Sequence, residues 1–142
     1  MPHMHRRDFL KTAAATAAAL AFAPRRLFAG ATPFAARVVV AHGTDIPRLL
    51  AAGVDAVGGW GAFVKPGQKT TLKVNAGWAS TPEQGANTNP ALAEECIRAC
   101  LAAGAASVVL PENPCSPSAK SFEMSGIGAA AKRAGGRLYE PD

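Results

Sequence analysis

Residues 89–110, NPALAEECIRACLAAGAASVVL, decide the reading of this chain. Asn89 before Pro90 is a helix start in the favoured order. The asparagine side chain can accept orphan N–H groups, and proline's fixed φ suits the first turn, where its missing N–H costs nothing. Leu92, Ile97 and Leu101 share a helical face with Cys96 and Cys100. Gly104 stops the helix, and 106–110 (ASVVL) is a compact β-branched run that reads as a strand. A helix delivered straight into an apolar strand is half of a βαβ unit.

The neighbouring segments extend the pattern. Residues 70–74 (TTLKV) read as the preceding strand, with a long polar loop over 75–88. Residues 45–57 carry Ile46, Leu49, Leu50, Val54 and Val57 at helical spacing, with Thr44 or Asp45 as cap and Gly58 and Gly59 as the stop. Residues 37–41 (RVVVA) read as a first strand, and 63–67 as a turn. Downstream come a loop over 111–118, a helical stretch over 119–134 broken at Ser125 and Gly126, and a short last strand over 137–139. Strands alternating with helices predict an α/β fold, an open and mostly parallel sheet of βαβ units.

The 142 residues suffice for one domain, and the formal charge of +5 is unevenly placed. Arg6, Arg7, Lys11, Arg25 and Arg26 precede position 32, against the single acid Asp8. The remainder is close to neutral and has no basic stripe, which argues against nucleic acid as a partner.

The N-terminus is built as a signal. His5 to Lys11 reads H-R-R-D-F-L-K, and residues 12–23 are almost all alanine. That run is shorter than the roughly twenty residues needed to cross a bilayer core, so no stable span is expected after cleavage. Its mild hydrophobicity, and Arg25 and Arg26 behind it, disfavour the general secretory route. Ala29, Gly30 and Ala31 form a small-x-small cleavage site. The stretch resembles a twin-arginine (Tat) signal peptide with Arg6 and Arg7 as its signature and cleavage after Ala31. It implies handling by the Tat translocase, export to the periplasm, and a mature domain over 32–142. That route carries folded proteins, often with a cofactor already inserted.

In open α/β sheets ligands bind beyond the carboxyl ends of the strands. Two loops leave such ends. The first holds Asn75 and Thr88 and runs into a helix start at Asn89, where free N–H groups favour an anion; with Lys73 these residues form a candidate anion site. They are also ordinary turn and cap formers, and strand alternation places Lys73 opposite Leu72 and Val74, on a solvated face. The second loop holds Glu112 and Cys115, a carboxylate and a thiol that could share a metal, or a connector stiffened by Pro111, Pro114 and Pro117. Cys96 and Cys100 read as buried small apolar residues, and neither C-x-x-C nor a standard nucleotide loop is present. His42 stands alone at the end of the first expected strand, with no serine or cysteine partner in view.

Five blocks in order carry a resemblance. They are Val57-Gly58-Gly59 with FVKPG at 63–67, LKVN at 72–75, PEQGANTNP at 82–90, AGA at 103–105 and EMSGI at 123–127. Together they resemble the family called domain of unknown function 362, with Val74 where members usually have proline. The resemblance implies an α/β architecture and a common cleft for Lys73, Asn75, Thr88 and the loop near Glu112. It brings no assigned activity and no catalytic residues. Members often carry iron–sulfur segments, so a metal or iron–sulfur cofactor and a redox partner are implied, although this chain has no cluster-binding cysteine motif. Members are also longer, which implies a sheet incomplete relative to the family and a C-terminal half elsewhere. Three roles stay open at this point: a metal- or anion-binding enzyme with a redox association, a non-catalytic periplasmic binding or partner subunit, and an inactive fragment.

Overall fold

The computed structural model describes residues 38–139; the export signal and the cleavage point after Ala31 lie outside the described residues. Residues 38–41 form no strand. Val38 and Val40 are 86% and 87% exposed. Strand preference of β-branched residues expresses packing on a pleated neighbour, and these valines have no paired strand beside them. Helix α1, Ile46–Ala56, starts where expected: the Asp45 carboxylate accepts from the Arg48 N–H at 3.1 Å, and Pro47 sits in the first turn. Its apolar side is only half-buried. One further turn of helix, α2 (Trp60–Phe63), occupies a stretch too short to show a period.

Strand β1, Lys69–Thr71, is shorter than the sequence suggests, but the chain stays alongside its neighbour, with the Leu72 N–H donating to the Val109 carbonyl at 2.9 Å. The polar loop contains one 3₁₀ turn, Pro82–Gln84, closed by a reciprocal box between Thr81 and Gln84. Helix α3, Pro90–Ala102, is capped by Asn89, whose Oδ1 accepts from Ala91 N at 2.9 Å and Leu92 N at 3.4 Å. Strand β2, Ser107–Pro111, follows. Helices α4, Ser118–Met124, and α5, Ile127–Ala134, are separated at Ser125 and at Gly126, whose φ is 72°. Strand β3 is Arg137–Tyr139.

The three strands lie in the order β1-β2-β3, both pairings parallel. Val108 stands beside Thr70, and Leu110 beside Leu138. These side chains face α3 and α5, which pack on each other and on the sheet. Ile97, Val108, Leu110 and Ile127 are fully buried there, each contributing about 1.5–3 kcal/mol by leaving water. Cys100 is in this core and Cys96 at its margin.

Gly104 joins α3 to β2 with φ +99°, and a Cβ there would lie 3.2 Å from Pro66 Cα. Both the backbone conformation and the contact require glycine. Gly104→Ala is expected to cost about 2 kcal/mol, read as a lower urea midpoint with unchanged slope. An unchanged midpoint would show that the connection relaxes without strain.

Candidate functional site

The parallel order sends every strand's carboxyl end to one edge. Lys73 leaves β1 there, Glu112 follows β2 directly, and Tyr139 ends β3. Glu112 organises this edge. Its Oε2 lies 2.8 Å from Lys73 Nζ and accepts from the Ala76 N–H at 2.9 Å; its Oε1 accepts from the Asn113 N–H at 2.9 Å. Lys73 also donates to the Val74 carbonyl. The carboxylate side chain is 9% exposed and the lysine 64%. Burial pushes the Glu112 carboxyl up, but the Lys73 ammonium and the two amide donors outweigh it and hold it below the ordinary glutamate range. The result is an ionised carboxylate under the chain and a cation held out over it.

Beside the pair is a cavity of about 390 Å³ lined by Lys73, Pro111, Glu112, Asn113 and Tyr139. Asn113 and Tyr139 were not singled out from the sequence. The signal was available for Tyr139: in a parallel sheet the last residue of each strand reaches the same edge.

The polar loop spends its groups on itself. The Asn75 N–H donates to Thr88 Oγ1 and the Thr88 N–H returns to the Asn75 carbonyl, both at 2.8 Å. Asn75 Nδ2 donates to the Ala86 carbonyl at 2.9 Å, and the Asn87 side chain bridges Trp78 N–H and carbonyl. Asn89 is engaged as the α3 cap. The structure therefore brings Lys73 to Glu112 and Asn75 to Thr88, and gives Thr88 and Asn89 structural work.

Cys115 is exposed, and its N–H donates to the Gly77 carbonyl at 2.8 Å, tying the second loop to the first. Among the described residues no three His, Cys, Asp or Glu side chains converge as metal ligands. Burial pushes the Cys96 thiol up to about 11 and the Cys100 thiol in the same direction, so both are poor thiolates at neutral pH. His42 is exposed, in a shallow depression with Asp45 and Arg48.

The segment that builds this edge, residues 70–142, matches the family described as Domain of unknown function (DUF362). The chain belongs to that family. The DUF362 match takes in the last two residues of β1 and all of α3, β2, α4, α5 and β3, and with them Lys73, Glu112 and Tyr139; α1 and α2 precede it. Residues 3–23 match the twin-arginine translocation signal sequence, which spans Arg6, Arg7 and the alanine run. This DUF362 chain is thus handled by the Tat translocase and exported. No curated protein and no solved structure matches it. No helix among the described residues is long and apolar enough to cross a membrane.

Proposed function

We propose that this DUF362 protein works in the periplasm as a binder of a small anion, held at the strand-end cavity by Lys73. The observation that carries the reading is the Lys73–Glu112 pair. A nearly buried carboxylate fixes an exposed ammonium at the mouth of the cavity, where open α/β sheets place their ligands. An ammonium has three N–H donors. One goes to Glu112 and one to the Val74 carbonyl, which leaves the third for a ligand. Asn113 and Tyr139 also line the cavity, whose wall is otherwise mostly apolar. The cavity falls within the size range of small-molecule sites, roughly 300–1,000 Å³.

The anion site expected from the sequence, Lys73 with Asn75, Thr88 and Asn89, narrows in this reading to Lys73. Asn89 already accepts from the Ala91 and Leu92 amides, so those donors are turned away from an incoming ligand. A metal shared by Glu112 and Cys115 has less support, because three donors already occupy the carboxylate.

Lys73→Gln tests the proposal, since glutamine keeps a donor for Glu112 and removes the charge. Phosphate, sulfate, acetate and citrate are titrated onto the exported, processed protein and its melting temperature is followed. At least one anion should raise it, with affinity about tenfold weaker in the variant, as expected for loss of one charge-assisted hydrogen bond. Equal affinity in both proteins, or no response to any of the four anions, would sink the reading.

A further inference from the structure

The helices α3 and α5 cover one face of the sheet; among the described residues no helix packs on the other in the same way, and its central-strand residues are half-buried. Side chains alternate along a strand, and here the alternation is complete. Thr70, Val108, Leu110 and Leu138 turn toward the helices; Lys69, Thr71, Ser107, Val109, Pro111, Arg137 and Tyr139 turn away. Lys73 continues the outward series, between half-buried Leu72 and buried Val74. Tyr139 is 58% exposed, and Lys69 and Arg137 are exposed.

All-parallel sheets are ordinarily covered on both faces. The uncovered face has a definite layout. Val109 and Pro111, both half-buried, run along the central strand, and the exposed Tyr139 pairs with Pro111. Lys69 and Lys73 stand along one side of this apolar strip and Arg137 along the other. No strand position on the face is acidic. The helices carry charges of both signs: Glu94, Glu95 and Arg98 on α3, Lys120 and Glu123 on α4, and Lys132 and Arg133 on α5. On the helical side Glu94 is already matched, 2.7 Å from both Arg98 and Arg133. Lys69 and Arg137 enter none of the side-chain ion pairs among the described residues.

We propose that this face docks a partner segment of complementary chemistry: an amphipathic helix with an apolar stripe flanked by acidic residues. The apolar stripe would cover Val109, Pro111 and Tyr139, and the flanking carboxylates would meet Lys69 and Arg137. Such a helix completes the second layer that a parallel sheet requires, and it would pass beside the strand-end cavity. Pro111 and Tyr139 also line that cavity, whereas Lys69 and Arg137 do not, so these two cations are the positions that separate this proposal from the anion reading.

The test uses the exported, processed protein and two labelled helical peptides. Both carry the same leucine stripe; one is flanked by glutamates, the other by lysines. Fluorescence anisotropy at low salt should show the glutamate peptide binding at least tenfold more tightly. Footprinting should show Lys69 and Tyr139 protected by it. The double variant Lys69→Glu with Arg137→Glu should reverse the preference while the response to anions at Lys73 is kept. Equal binding of the two peptides, or protection elsewhere on the surface, overturns the proposal. A dimer in sedimentation that the same double variant dissolves also overturns it, and assigns the face to a second copy of the chain.

Discussion

Glu112→Ala should lower the melting temperature of the exported protein by about 15 °C. The reasoning starts from Ala76, which is fully buried and whose N–H has the Glu112 carboxylate as acceptor. A buried donor left without an acceptor costs about 1–3 kcal/mol. The charge-assisted bond to Lys73 and the bond from the Asn113 amide are lost as well, the first discounted because the lysine is exposed. A total near 3 kcal/mol corresponds to roughly 12–24 °C in a domain of this size. Glu112→Gln keeps an acceptor oxygen for Ala76 and should lose less than half as much. Acid gives an independent check. The folded state holds the Glu112 carboxyl below its ordinary value of 4.5, so its contribution is complete above that pH. It disappears as pH falls through the lowered folded value. The gap between native and Glu112→Ala proteins should therefore be full at pH 7 and narrow steadily below pH 4.5. A gap that is small at pH 7, or constant into acid, would show that the carboxylate is not what fixes this edge.

Replacing Arg6 and Arg7 together by lysine should block export almost completely. The two arginines are the defining feature of the signal that residues 3–23 match. Positive charge alone is not what the translocase reads, and lysine lacks the planar five-donor fork of arginine. The rest of the segment offers no second route, because its alanine run is short and weakly apolar. Fractionation of cells followed by immunoblotting should find the full-length precursor inside and no processed chain outside. A companion variant with several of the alanines in 13–19 changed to leucine sharpens the test. Greater hydrophobicity should send the twin-lysine chain through the general secretory route. Export of the twin-lysine chain without that change would mean that another part of the sequence directs it.

The same contrast between local and long-range information governs what could be read from the sequence. Helix α3 was legible because its start and stop are encoded by local residues, Asn89, Pro90 and Gly104. The run 37–41 misled. Three valines supply strand preference, but a strand also needs a neighbour's N–H and C=O groups, which no local pattern supplies. Helix α2 was hidden because one turn shows no periodicity. At the site, the strand ends and the family resemblance pointed to Lys73 and Glu112. Their contact joins residues 39 positions apart, and it depends on the register of β1 against β2, which is set by core packing. Asn75, Thr88 and Asn89 were read for their donors and acceptors; the fold uses those same groups to close the loop and cap α3. Tyr139 was missed because its importance comes from the edge it reaches and not from its sequence neighbours.

The strand order also sets a tempo. Each strand pairs only with the strand that precedes or follows it in sequence, so the sheet can grow in one direction as the chain emerges, without waiting for a distant segment to return. Each pairing nevertheless joins distant residues, Lys69 to Ser107 and Val109 to Arg137, and parallel pairing across such crossovers is intrinsically slow. The first of these closures, β1 on β2 across α3, needs the chain only as far as Pro111. The second, β3 on β2, extends the sheet from an edge already in place, so the strands join in the order in which they occur in the chain.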